Sequence, residues 1–343
     1  MKISAVDLFC GAGGLTHGFL LEKIPVHAGV DIDPTCQFPY ETNNHAKFIN
    51  ADIANISSSE IDAFYPPDTD IKILAGCAPC QPFSAHRYKE QNKQDDPRWG
   101  LLRSFARIAK DIRPNLITME NVPNLEHHEI YNYFVEQLQE SGYHVTCYKV
   151  YCPQYGVPQT RRRLVMFGSL YGEVKLPNPL PSEKYPTVRQ AIAHLEPIVA
   201  GGASACDAVH RASNLTDINL RRIKASKPGG TWRDWSDDLM LECHKRPSGR
   251  GYLHVYGRME WDKPAPTITT QCNRLGDGRF GHPSQDRAIS LREAALLQTF
   301  PENYKFISDD RMVSVNNIAR LIGNAVPVNL GRAIARGLLA HIK

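Results

Sequence analysis

Cys80 stands in the run Cys77-Ala78-Pro79-Cys80-Gln81-Pro82-Phe83-Ser84, and Glu120-Asn121-Val122 follows one strand-and-helix unit later. An ionised thiol is a strong nucleophile, and a carboxyl group can hold or deliver a proton. Placed on adjacent strand ends, the pair could attack and protonate one flat heterocycle. Pro79 stiffens the chain before the sulfur and Gln81-Pro82 restricts it afterwards, so the thiol can be aimed. A free cysteine is ordinarily a small buried core residue, which is the plain alternative. Cys77-x-x-Cys80 also has the spacing of a thiol oxidoreductase or of half a zinc site. The other half is missing: Cys147, Cys152, Cys206, Cys243 and Cys272 form no second close pair, and the histidines show no matching spacing. No metal is expected.

Two further stretches could bind ligands. Gly11-Ala12-Gly13-Gly14 follows a strand-like run, as glycine turns at nucleotide sites do, and Asp31 at the end of the next strand suits a ribose. A dinucleotide fingerprint would require glycine at position 16, which is Thr16. Gln159-Thr160-Arg161-Arg162-Arg163 offers planar, permanently charged donors for a carbonyl or a phosphate, although a basic turn before a strand has the same spacing.

These residues need elements to hold them. Ile3-Phe9, Val26-Val30, Ile71-Ala75 and Leu116-Met119 read as strands, alternating with helical patterns at Leu15-Lys23, Pro34-Asn44, Leu101-Ile112 and Glu129-Ser141. Such alternation predicts an α/β fold with a parallel sheet covered on both faces, whose ligands gather at carboxyl ends of strands. Phe9-Gly14, Asp31, Asp52, Cys80 and Glu120 all fall there. Tyr143-Tyr151 and Leu164-Phe167 read as two more strands, a hairpin closing the sheet. Beyond about 175 the texture changes to Pro177, Pro179, Pro181 and Pro186, then Gly201-Gly202 and Gly229-Gly230, so a boundary is expected near 180. Residues 181–286 are loop-rich, helical spacing returns at Leu291-Phe300, and a final helix is expected over Asn329–His341.

The bulk composition sets wider limits. With 343 residues, 42% hydrophobic and 22% charged, the chain suits one large and one smaller globular domain. A net charge of +4 and pI near 8.5 are too mild to prove a nucleic-acid partner. The opening Met1-Lys2 leads directly into a strand without a signal-peptide core, and no apolar run spans a membrane, so a cytosolic, membrane-free chain is expected. Its nine cysteines are scattered and expected to be reduced.

Together with Asp7-Leu8-Phe9-Cys10-Gly11-Ala12-Gly13-Gly14-Leu15-Thr16 and Gly323-Asn324-Ala325-Val326-Pro327, these motifs resemble the DNA (cytosine-5) methyltransferase family over almost the whole chain. The resemblance implies a Rossmann-like S-adenosylmethionine-dependent methyltransferase sheet in residues 1–180, completed by 320–343. A smaller target-recognition domain spans 181–319, with a supporting helix at 290–300. It implies Cys80 as the nucleophile at cytosine carbon 6 and Glu120 at ring nitrogen 3 and the exocyclic amine. Asn121 ties the strand to the cysteine loop, Arg163 meets the base carbonyl, and Arg161 meets the active-site loop or a backbone phosphate. Phe9, Gly11, Ala12, Gly13, Gly14, Asp31, Ile32, Asp52, Ile53, Pro79, Leu101, Asn324 and Val326 are implied around S-adenosylmethionine, with S-adenosylhomocysteine as product. Many relatives carry tryptophan where Ile32 stands and glycine where Cys77 stands.

DNA contacts are implied for Ser84, His86, Arg87 and Gln159, and for Thr267 in Pro266-Thr267-Ile268-Thr269-Thr270. The implied substrate is duplex DNA with a flipped cytosine, and the implied protein is a monomeric modification enzyme of the bacterial cytosol and nucleoid. A cognate restriction endonuclease would be its genetic rather than physical partner. One family branch methylates tRNA and typically carries Cys-Phe-Thr in the recognition region, which is absent here. A DNA-binding module without activity is the other alternative.

Overall fold

The computed structural model describes residues 1–79, 99–249, 251–308 and 314–343. Strands β1 (Ile3–Leu8), β2 (Val26–Asp31), β3 (Lys47–Asn50), β4 (Ile71–Gly76) and β5 (Leu116–Asn121) run parallel. All six residues of β5 are buried, as are five of the six in β1 and in β4. That is why they read as near-continuous apolar runs: a parallel sheet is covered on both faces. The covering helices in order are α1 (Gly14–Leu21), α2 (Gln37–Asn44), α3 (Ser58–Asp62), α4 (Trp99–Ile112) and α5 (Glu129–Glu140). Strands β6 (His144–Tyr151) and β7 (Arg162–Ser169) are antiparallel to each other, and β7 lies antiparallel to β5. The complete order is β3-β2-β1-β4-β5-β7-β6, so connections leave β1 in opposite directions and open a crevice beyond the ends of β1 and β4.

Leu102, Phe105, Ala106, Ile108 and Ala109 recur at helical spacing along α4 and are buried. Phe105 meets Phe134 of α5 with ring centroids 5.2 Å apart. Removing such a side chain from water contributes roughly 1.5–3 kcal/mol. This core fixes the ends of β4 and β5.

Two compact units divide the chain. The first holds Met1–Tyr155, Arg162–Pro179 and Val326–Lys343; the second holds Gly156–Arg161 and Leu180–Ala325. The expected return at residue 320 therefore moves to Val326. In the second unit, α6 (Val188–Ile192), α7 (Asp217–Ala225), α8 (Glu242–Lys245), α9 (Leu291–Leu297) and α10 (Val315–Asn324) are short, and α10 packs on α9. The last helix, α11 (Val328–His341), belongs to the first unit, where it packs on α1.

Several expected boundaries shift. Strand β1 stops at Leu8 because Phe9 has φ 59°, outside the β region. β3 and α3 were not anticipated: four and five residues are too few to show a period. α9 ends at Leu297 rather than Phe300, in a turn where Thr299 has φ 63° and Phe300 donates to the Ala295 carbonyl.

The second unit has isolated bridges instead of strands among its described residues, and buried polar groups hold its irregular backbone. Arg258 donates to the carbonyls of Ile223, Ser226 and His282. Trp232 stacks on His244 at 4.4 Å. Arg287, fully buried, makes two 2.7 Å hydrogen bonds to Glu293, whose carboxylate also accepts from the Ser290 amide in the capping box of α9. Burial alone would raise the Glu293 pKa, but the hydrogen bonds and charge of Arg287 more than offset it and leave it lowered. The carboxylate thus adds stability above the ordinary glutamate range, and that contribution is lost as pH falls through its lowered value. Glu293→Gln should cost about 3–5 kcal/mol near neutral pH, because it strands a buried guanidinium. Urea unfolding at neutral and strongly acidic pH checks this: the deficit should shrink in acid, and a variant as stable as the parent at pH 7 refutes it.

Candidate functional site

Parallel pairing sets Gly76 beside Met119, which brings the next residues, Cys77 and Glu120, alongside each other. The Cys77 amide donates to the Leu8 carbonyl at 3.2 Å, extending the β1–β4 ladder by one residue. Its thiol donates to Glu120 Oε2 at 2.9 Å. Asn121 Nδ2 donates to the Ala78 carbonyl at 3.0 Å while Asn121 Oδ1 accepts from the Val122 amide. The two strand ends are therefore cross-linked by side chains at consecutive positions. Glu120 is only 2% exposed. Arg163, at the start of β7, places Nε 2.8 Å from Glu120 Oε1 as an ion pair, yet among the described residues that oxygen accepts no aligned hydrogen bond. A buried carboxylate with an open acceptor position is able to take a donor from a ligand. Cys80, Ser84, His86 and Arg87 lie outside the described residues.

The turn after β1 is built for close approach. Gly11 and Gly13 have φ 53° and 87°, and a side chain at Gly11 would meet nothing, so the loop surface is open there. Asp31 holds the loop by accepting from the Gly11 amide through Oδ2 and the Asp33 amide through Oδ1, each at 2.9 Å. A carboxylate at the end of the second strand is an acceptor of the kind a ribose diol takes. Phe9 is half-buried and tilted against Phe105 at 6.5 Å, whereas Ile32 is 65% exposed at the end of β2. Helix α1 begins at Gly14 beside buried Ala12, with no side-chain cap and no acidic residue in its first turn. Its first amides suit an anionic group. An aromatic face, an exposed aliphatic, a diol acceptor and an anion-binding turn fit a nucleoside bearing an amino-acid tail.

The remaining expected cofactor residues differ in kind. Asp52 uses its carboxylate to accept from the Ala54 amide and Asn55 Nδ2, and it lines a cleft of about 570 Å³ with Ile49, Asn55 and Phe64. That cleft includes none of Phe9, Asp31 or Ile32. The Ile53 side chain is a core residue at 2% exposure, so only its backbone could meet a ligand. Pro79 and Leu101 are half-buried in the first unit. Asn324 ends α10 in the second unit with its side chain exposed, while Val326 opens the first unit's last segment and is buried.

One expected ligand contact is corrected. Gln159 is fully buried in the second unit, with Nε2 donating to the Leu297 carbonyl and Gln298 Oε1 and with Oε1 accepting from the Ile268 amide. It has no surface to offer DNA. Arg161, 4% exposed, donates through Nη1 to the carbonyls of Ile268 and Gly323, main-chain contacts that accord with holding a segment of chain, the first of its two expected tasks. Both side chains hold the segment that carries half-buried Thr267. Nothing in a Gln-x-Arg-x-Arg string distinguishes donors facing a ligand from donors facing backbone.

Two participants escaped the sequence. Cys77 enters the sequence reading only through its Cys-x-x-Cys spacing and as a departure from the glycine of many relatives, and its thiol meets Glu120. Asp7 lies under the glycine turn at 2% exposure; Oδ2 accepts from Thr16 Oγ1 at 2.7 Å and Oδ1 has no partner. A charged residue inside an otherwise uncharged strand was the available signal.

Comparison with known proteins gives one consistent answer. A family model described as C-5 cytosine-specific DNA methylase matches residues 3–340. The chain is 51% identical over 98% of its length to the Type II methylase M.HgiDII of Herpetosiphon aurantiacus, covering 94% of it. It is 31% identical over 99% of its length to the Type II methyltransferase M1.HphI of Haemophilus parahaemolyticus, covering 87%. Among solved structures, the methyltransferase EhMeth of Entamoeba histolytica matches with a TM-score of 0.67 at 16% identity, over 100% of this chain and 99% of that one. At that identity it speaks for the fold.

Burial pushes the Asp7 carboxyl up, Thr16 opposes and the Asp31 charge adds, for a pKa of about 7. Between the ordinary aspartate value and that one, the folded chain keeps a proton the unfolded chain has released, so stability falls as pH rises through the interval. Asp7→Asn should flatten this part of the decline. Thermal unfolding midpoints of both proteins from about pH 5 to about pH 8 check it; identical slopes refute it.

Proposed function

Because the chain belongs to the C-5 cytosine-specific DNA methylase family, we propose that it methylates carbon 5 of a cytosine flipped from a short duplex DNA sequence. In this reading it is a Type II modification enzyme of a bacterial cytosol and nucleoid. It acts as a monomer whose restriction endonuclease is a genetic rather than a physical partner. Similarity over nearly the full length to Type II methylases supports the reaction class. The observation that carries the site is Glu120, buried at the end of β5, with one oxygen lacking an aligned hydrogen bond among the described residues and its neighbour Asn121 bonded to the loop that leads to Cys80.

Carbon 5 of cytosine is a poor nucleophile. The Cys80 thiolate adds to carbon 6, and Glu120 holds the proton at nitrogen 3 and accepts from the exocyclic amine. The thiolate lone pair forms the carbon–sulfur bond, the displaced C5–C6 π pair moves to the C4–C5 position, and the C4–N3 pair goes to nitrogen 3, which takes the proton, leaving an enamine whose carbon 5 is nucleophilic. S-adenosylmethionine, when bound, would supply an electrophilic methyl group from its sulfonium, with S-adenosylhomocysteine as the product. A water-derived base removes the carbon 5 proton, and the electron pair of that C–H bond re-forms the ring double bond as the Cys80 thiolate departs. Arg163, paired with Glu120, is positioned to meet the base carbonyl. Phe9 and Ile32 would flank adenine, Asp31 the ribose, and the first amides of α1 the carboxylate of the methionine portion.

The segment 181–319 is assigned to target recognition, with Thr267 at the DNA backbone and Ser84, His86 and Arg87 as contacts from the cysteine loop. Extruding the base costs a few kcal/mol, which contacts of this kind must offset.

Duplex DNA carrying 5-fluorocytosine should trap a covalent adduct stable to denaturing electrophoresis, since the carbon 5 fluorine cannot leave as a proton. Cys80→Ser should abolish the adduct and reduce turnover by about three orders of magnitude or more. Methylation by that variant at the parental rate would overturn the mechanism. Labelled methyl groups should enter plasmid DNA and not bulk tRNA, and bisulfite sequencing of the product should reveal one short motif. Ile32→Trp adds an aromatic face and should tighten S-adenosylmethionine binding about fivefold by calorimetry; unchanged affinity removes Ile32 from the adenine site.

A further inference from the structure

Glu120 must present one particular oxygen to the base, and its terminal torsion is soft, so something has to fix its rotation. Arg163 does not do this alone: its Nε contacts Oε1 without hydrogen-bond alignment, and its Nη1 donates to the Arg162 carbonyl. The other oxygen is held from the opposite side. Cys77 Sγ donates to Oε2 at 2.9 Å, and the Cys77 backbone is pinned to the Leu8 carbonyl by its own amide. The half-buried thiol therefore occupies a fixed point on the sheet, next in register after the Gly76–Met119 pair.

On the basis of the methyltransferase reading, we propose that Cys77 is a positioning residue for the reaction: its S–H bond to Oε2 sets the carboxylate plane so that Oε1 faces the nitrogen edge of the cytosine. Cys77 forms no bond to substrate and is distinct from the Cys80 nucleophile. Its contribution lies in the donated hydrogen. A hydroxyl in the same place would serve, and a methyl group would not.

The test uses the full chain, unmethylated plasmid DNA and labelled S-adenosylmethionine, with kcat and both KM values measured for Cys77→Ala and Cys77→Ser. A lost hydrogen bond to a charged group, made by a weak S–H donor, predicts that Cys77→Ala lowers kcat about five- to tenfold. Both KM values should stay within about twofold by the same reasoning, and Cys77→Ser should recover most of the lost kcat. Equal kcat for Cys77→Ala and the parent overturns the proposal, as does an equal loss in both variants, which would mean that sulfur packing matters rather than donation. If Cys77→Ala folds poorly, the comparison is made in a Glu120→Gln background by single turnover, where the same substitution should add no further loss; an additive loss overturns the proposal. A parent enzyme that methylates no DNA overturns the functional reading itself, whereas an active parent with an indifferent Cys77 overturns only this inference.

Discussion

A carboxylate taken out of water at the end of an interior strand is costly unless neighbouring groups replace its hydration, and Glu120 is such a carboxylate. The replacements come from either side along the strand order: a thiol from the residue after β4 and a guanidinium from the start of β7. Both arrive only if β4, β5 and β7 keep their register. That register is held by the α4 and α5 core around Phe105 and Phe134. Asn121 then carries the constraint to the Ala78 carbonyl, so the loop leading to the nucleophile and the buried carboxyl are parts of one cross-linked piece. The geometry of the candidate site is a consequence of sheet packing.

The main architecture was readable because its causes are local. Strands buried on both faces must be apolar throughout, and the helices between them must carry a stripe, so β1, β2, β4, β5, α4 and α5 announce themselves. β3 escaped because Lys47-Phe48-Ile49-Asn50 is too short and too polar at its ends for any period to emerge. The ligand-facing strand ends followed from topology, which is why Asp31 and Glu120 could be placed without a structure.

What the sequence could not convey is the direction in which a polar side chain faces. Gln159, Arg161 and Arg163 look equivalent in a string, yet the first two bond main-chain groups at Ile268 and the third reaches Glu120. The same ambiguity hid Ile53, whose neighbour Asp52 is polar and partly exposed while its own side chain is core. Cys77 was hidden differently: its role depends on a partner 43 positions away, fixed only by strand pairing.

The second unit achieves order with little regular structure. Arg258, Arg287 and the Trp232–His244 stack replace ladder hydrogen bonds with side-chain donors and stacked rings. At Ile268 this goes furthest: its amide is held by Gln159 and its carbonyl by Arg161. The segment around it thus has its path fixed by side chains from Gln159 and Arg161. A residue whose amide and carbonyl are both satisfied by side chains needs no neighbouring strand, so an irregular backbone can be as firmly placed here as a sheet would make it.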